Sequence, residues 1–291
     1  MKHAFAVTQL SILIAVLAAL ASYTGIYSEG GPGPHSIESV RGETVIIYGK
    51  GLYRHMSKEV APQGIAQDYV TLYLAIPLLF IALIWARKGS LKGRYFLSGI
   101  LGYFLVTYLF YLVMGMYNAL FLVYVALLSM SFFAFALTML SFEPRELPER
   151  FSEETPVKST GGFLIFQCIA ISLMWLGVVI PPLISGEIIP PQVEHYTTLI
   201  VQGLDLALLL PLGIIAGVLF INKNPFGYLL TPVYYVFLSL LMIALTAKII
   251  IMGSEGQNTM PAILIIPSFG IIAMICTLYI FNSIREVKTT G

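Results

Sequence analysis

Eight mostly apolar stretches, each near the roughly 20 residues that a helix needs to cross a bilayer, follow one another along the chain. They cover residues 4–28, 66–87, 95–115, 117–141, 162–186, 197–221, 226–252 and 260–283. Lipid offers no partners to backbone amides and carbonyls, so each stretch must satisfy its own as a helix. Composition enters only to exclude a soluble globule. The chain is 58% hydrophobic and 11% charged, against about 25% charged residues in soluble domains. The expected fold is all-α: a polytopic membrane bundle of eight transmembrane helices. The third and fourth spans are separated only by a tight turn around Met116-Tyr117-Asn118. Lys2, an apolar run and Ala19-Leu20-Ala21 give the first span marks of a signal peptide, but a retained helix is expected.

Lys and Arg set the orientation. With the N-terminus inside, eleven of the sixteen fall on inner segments: Lys2, Arg87, Lys88, Lys92, Arg94, Arg145, Arg150, Lys158, Lys223, Arg285 and Lys288. Arg41, Lys50, Arg54 and Lys58 lie outside, and Lys248 lies within a span. Both termini are therefore expected in the cytoplasm. The cluster Arg87, Lys88, Lys92 and Arg94 can meet anionic headgroups at about 1 kcal/mol per basic residue, although positive-inside topology explains it equally.

Three segments are expected: a first four-helix half, residues 1–141, with an outer loop over 29–66; a cytoplasmic linker, 142–161; and a second four-helix half, 162–291. The outer loop opens on Gly30-Gly31-Pro32-Gly33-Pro34, a linker-like run. Thr44-Val45-Ile46-Ile47-Tyr48 then reads as a short strand and Gly49-Lys50-Gly51 as a turn, with a helix starting between Met56 and Asp68. This length suits an ordered cap, with a plain solvated loop as the alternative. The linker, rich in Glu and broken by Pro144, Pro148 and Pro156, reads as solvated, or as an acidic patch for a partner.

A shift of 134 residues lays the second span on the sixth, matching Pro77 to Pro211, Ala82 to Ala216 and Gly93 to Gly227; a shift of 158 lays Gln9 on Gln167. A 4+4 parallel repeat is therefore expected, with the halves related by an axis along the membrane normal.

Ionisable groups inside lipid cost roughly 2.5–3.5 kcal/mol at mid-helix on insertion scales, so each needs a reason. Asp205 lies well inside the sixth span and shares a face with Thr198 and Gln202 by i, i+4, i+7 spacing. Gln63, Gln67 and Thr71 make a similar stripe on the second span, with Asp68 alongside. Facing one another, the stripes would form a polar pocket between the halves. Each carboxylate has a structural alternative: satisfaction by neighbouring polar groups for Asp205, and the helix dipole for Asp68. Lys248 either snorkels to the interface or pairs with a carboxylate. Tyr103, Thr107 and Tyr111, with Tyr108 beside them, line one side of the third span and face a cavity or another helix. The candidate substrate-binding set is Asp205, Gln202, Asp68, Gln67, Thr71, Lys248, Tyr103 and Tyr111.

Several classes are excluded. His3, His35, His55 and His195 all lie outside the deep parts of the spans, which leaves no axial haem ligands and no intramembrane His metal site. Trp85 and Trp175 and a near-terminal Lys248 fit a retinal site poorly. Cys168 and Cys276 lack metal-ligand spacing. A net charge of +1 argues against nucleic acid as a partner. No cofactor is expected; membrane lipids and a small solute or ion are the expected partners.

Gly49-Lys50-Gly51-Leu52-Tyr53, Gln63-Gly64-Ile65-Ala66-Gln67-Asp68, Pro77 and Ala86-Arg87-Lys88-Gly89-Ser90 together resemble a pattern in prokaryotic multi-pass membrane proteins of unknown function. The resemblance covers about residues 40–135. It implies a prokaryotic plasma membrane and a unit built from outer loop and second span, and implies no reaction. Two four-helix halves also look like haem A synthase, which the missing histidines rule out. The leading expectation is a small-solute or ion transporter or binding protein. A membrane enzyme acting on a lipid or quinone and a non-catalytic assembly protein are the alternatives.

Overall fold

The computed structural model describes residues 2–187 and 189–286, so Lys288 lies outside the described residues. Eight helices are long and apolar enough to cross a membrane: α1 Ala4–Tyr27, α2 Ala61–Arg87, α3 Leu91–Val113, α4 Phe121–Met139, α5 Val157–Ser185, α6 Ile200–Ile221, α7 Pro225–Ser254 and α8 Ala262–Ser283. The chain is an integral, multi-pass, all-α membrane protein. The face carrying residues 88–90, 140–156 and 222–224 is called here the linker face, and the opposite one the cap face.

The third helix of each four is central. α3 packs on α2, α4 and α7, while α7 packs on α6, α8, α3 and the cap-face part of α2. The first four helices close a ring through α1 and α4; α5 and α8 meet over a smaller area. Gly99 permits the close approach of α3 to α7: a Cβ there would meet the Val236 side chain and the Val233 carbonyl. Small residues let helices touch where lipid supplies no hydrophobic drive to association.

α2 and α6 carry the same sequence of local features. Each contains one π-helical turn, Thr71–Ala75 and Asp205–Leu209, just ahead of a proline, Pro77 and Pro211. Proline has no N–H and its ring crowds the carbonyl four residues back. A widened turn relieves that crowding, with Ile76 N donating to Thr71 O and Leu210 N to Asp205 O. Both helices end before a positive-φ residue, Gly89 and Lys223. The next helix is then capped by a side chain, Ser90 accepting from Gly93 N and Asn224 from Phe226 N. Gly93 sits against Trp85 and Ala86, and Gly227 against Leu219 and Phe220.

Two segments differ from the sequence reading. The linker is folded in rather than solvated: Phe142, Leu147 and Phe151 are buried, with Phe151 packed edge-on or tilted against Tyr95, Phe220 and Tyr228. Its apolar residues are spaced singly among glutamates and prolines and so form no apolar run. In the cap, the expected strand (β2, Thr44–Ile47) pairs antiparallel with an unforeseen β1, His35–Glu38, in the register His35 to Ile47. Beneath the hairpin, Tyr53, Met56 and Ala61 form a small apolar core of their own.

Candidate functional site

Asp68 lies about 10 Å along α2 from its cap-face end and is 1% exposed. Tyr53, reaching down from the cap, donates to Asp68 Oδ2 at 2.5 Å, and the Tyr111 hydroxyl of α3 lies 2.9 Å from Oδ1. Burial, then the nearby Asp68 charge, push the Tyr53 hydroxyl well above its ordinary range, so it remains a donor. The Tyr111 hydroxyl also lies 3.1 Å from Gly64 O. Behind this pair, Gln67 Nε2 donates to Tyr103 Oη at 2.7 Å and Thr107 Oγ1 at 3.1 Å, and Thr71 Oγ1 is 3.0 Å from Tyr103 Oη. Tyr108, Tyr111 and Tyr124 form a contiguous aromatic group beside the carboxylate. Gln67 Oε1, Tyr108 Oη and Tyr124 Oη are buried without a hydrogen-bond partner among the described residues.

The second carboxylate is built differently. Asp205 opens the π turn of α6, is partly buried, and accepts from Trp175 Nε1 of α5 at 2.8 Å. Gln202 is also partly buried, and no hydrogen bond joins it to Asp205 among the described residues. Thr198 precedes α6 and is exposed, so the three-residue stripe is not a helix face. Lys248, about 9 Å from the cap-face end of α7, is partly buried. It makes no ion pair: among the described residues the only one joins Lys2 to Glu143, at 3.0 Å.

The cap is tied across the molecule. Arg41, in the bend between β1 and β2, donates to Glu194 O (3.0 Å), Tyr196 O (2.9 Å) and Thr197 O (3.3 Å) in the loop before α6. Ser57 N donates to Tyr196 Oη at 3.2 Å, and His195 Nε2 lies 3.1 Å from His55 O. Burial raises the Glu194 carboxyl, with nearby Ser57 opposing this and Glu59 adding repulsion.

The expected residues thus separate into two groups. Gln67, Asp68, Thr71, Tyr103 and Tyr111 meet in one hydrogen-bonded cluster, with every partner drawn from the cap and α2–α3. Asp205 stands with Trp175, and Lys248 links the two only through its field. Among the described residues no hydrogen bond joins the two stripes. Gln63 turns to the cap surface and bonds Glu59 O. Sequence reasoning missed Tyr53 and Trp175 as carboxylate partners. The Tyr53 that follows Gly49-Lys50-Gly51 in the cap was the one visible sign of the first, and nothing marked the second. No protein-family profile, no curated protein and no solved structure matches this chain.

Proposed function

We propose that the chain is a prokaryotic plasma-membrane transporter of a small solute or ion, with Asp68, Asp205 and Lys248 as the groups that bind and move charge. One observation carries this reading. Three ionisable side chains from α2, α6 and α7 lie about 8–10 Å below the cap face, and none of them is in an ion pair among the described residues. A proton or small cation exchanged at either carboxylate changes the field at Lys248, and so at the other. Such groups are retained inside a bilayer chiefly where they serve ion or proton movement.

The matched π turns, prolines, caps and glycines of residues 71–93 and 205–227 support a 4+4 parallel duplication. Central contact between the third helices, α3 and α7, supports it further. Such halves move against one another about a site near their interface, and π turns give α2 and α6 a place to bend. The excess of Lys and Arg on the linker face supports placing that face, and both termini, in the cytoplasm.

The test is flux. The protein in liposomes with a trapped pH dye, under an imposed pH gradient in Na+ or K+ buffer, is expected to move protons faster than empty liposomes do. Asp68→Asn and Asp205→Asn should each slow this about tenfold or more, a loss of roughly 1.4 kcal/mol. Rates equal to protein-free liposomes in both buffers would overturn the proposal.

A further inference from the structure

On the linker face, a cavity of about 200 Å³ opens between the start of α3, the linker and the segment after α8. Arg94, Arg150 and Arg285 line it, together with Glu143, Glu146 and Glu286. The formal balance is three against three, but two of the carboxylates are held by groups other than the three arginines, Glu286 keeping its charge and acting on Arg94. Glu143 pairs with Lys2. Glu286 accepts from Ser90 Oγ (2.5 Å), Leu91 N (2.9 Å) and Lys92 N (3.0 Å), where the α3 N-terminus favours an anion. Burial works against the charge on Glu286, but the bonds from Ser90 and the Lys92 and Leu91 amides outweigh it and hold the carboxyl below its ordinary range.

Three arginines thus line the cavity, with Glu146 as the one carboxylate that makes no bond among the described residues, and none of the three arginines is in an ion pair among them. Arg94 is fixed in place: Nη1 donates to Ser141 O at 2.9 Å and the group lies 5.1 Å from the Phe142 ring centre. That leaves most of its five N–H donors unused. Arg150 and Arg285 are held together by the backbone, Arg285 N donating to Arg150 O at 2.7 Å. Guanidiniums gathered around one cavity, with Arg94 already fixed, are the side-chain set suited to bidentate recognition of phosphate oxygens.

We infer that this cavity is a phosphate-binding site, formed by Arg94, Arg150 and Arg285 at the headgroup level of the linker face. Its ligand is either a lipid phosphate or free phosphate, since both present the same oxygens. The site bridges both sets of four helices, because Arg94 belongs to α3 and Arg285 follows α8. Occupancy would therefore tie the two sets together at the face opposite the cap.

The full chain in detergent is titrated with inorganic phosphate, and the chain in nanodiscs is analysed by native mass spectrometry with phosphatidylglycerol against phosphatidylcholine. Arg150→Gln/Arg285→Gln is compared with Lys88→Gln/Lys158→Gln, which removes equal charge from the same face outside the cavity. Arg94 is left intact because it supports Ser141. Phosphate, or phosphatidylglycerol alone, should bind the wild type and the lysine variant alike. The arginine variant should bind about tenfold more weakly or less, the scale of lost charge-assisted bonds. Phosphate binding in detergent identifies the free ion, and retention of phosphatidylglycerol only identifies the lipid. Neither ligand binding, or equal losses in the two variants, would overturn it.

Discussion

Gly25 of α1 faces the Asp68 carboxylate so closely that a Cβ on it would collide with Asp68 Oδ2 and Cγ and meet the Tyr53 hydroxyl. The missing side chain is thus what lets the carboxylate, α1 and the cap meet at one point. Gly25→Ala should destabilise the protein by about 1–3 kcal/mol, the usual cost of overpacking. Gly177→Ala, at an open position on α5 with nothing within 4 Å, should be neutral or gain up to about 1 kcal/mol of helix propensity. Melting of both variants in detergent checks the contrast; equal melting temperatures would remove Gly25 from the site.

Arg41 is the main tie between the hairpin and the loop before α6. Arg41→Ala leaves three carbonyls without their donor, at roughly 1 kcal/mol each. Local opening should then become at least about tenfold more frequent. Hydrogen exchange should rise in residues 191–199 and stay unchanged in α3. Uniform exchange across both regions would show that Arg41 holds nothing local.

The same tie should depend on pH through Glu194. Burial, reinforced by Glu59 and opposed by Ser57, raises its carboxyl in the closed cap, so the closed form binds more protons than the open one. Closure is therefore fully favoured at low pH and loses stability as pH rises from the ordinary carboxylate value through the raised one. Glu194→Gln should remove this slope and leave the cap tighter at neutral pH. Exchange of residues 191–199, followed across pH in both proteins after correction for intrinsic exchange rates, reads it. A slope that survives the substitution would assign the titration to another group.

The spans were legible because lipid imposes one rule on every residue within them, and Pro77 and Pro211 marked where the regular ladder of α2 and α6 is interrupted. The π turns themselves were not legible, since a proline can be met by a kink or by a widened turn. The β1 residues His35-Ser36-Ile37-Glu38 are all exposed, so they show no alternation for a strand reading to find. The Gln67, Asp68 and Thr71 cluster was visible through the cost of burying polar groups. Its Tyr53 partner, and the Trp175 partner of Asp205, depend on contacts across the fold that spacing does not encode.

Gly89 and Lys223 end α2 and α6 with positive φ, of 83° and 54°. A lysine there bears the left-handed penalty of roughly 1–2 kcal/mol that glycine escapes, partly offset by the extra freedom glycine has when unfolded. Lys223→Gly should therefore raise stability by up to about 1 kcal/mol, and Gly89→Lys should lower it by a similar amount. Thermal melts of the pair test whether the two turns are energetically alike. Destabilisation by Lys223→Gly would mean that the lysine side chain has a role of its own.

Asp205 separates a working carboxylate from a merely tolerated one. Among the described residues its single hydrogen-bond donor is Trp175 Nε1, at 2.8 Å, and an amide oxygen can accept that bond in nearly the same place. Asp205→Asn should therefore change stability by less than about 1 kcal/mol while slowing charge movement about tenfold or more, because the field on Lys248 is lost. Asp205→Leu tests packing instead. It strands the Trp175 donor at about 1–3 kcal/mol, but it also removes a charge from the bilayer, and replacing a buried charge by an apolar side chain is often neutral or stabilising. Melting and flux measured on the same preparations distinguish the roles. Flux lost in both variants with melting preserved in Asp205→Asn supports a functional carboxylate. Flux unchanged in Asp205→Asn assigns Asp205 to holding α5 against α6 through Trp175, and removes it from the transport groups.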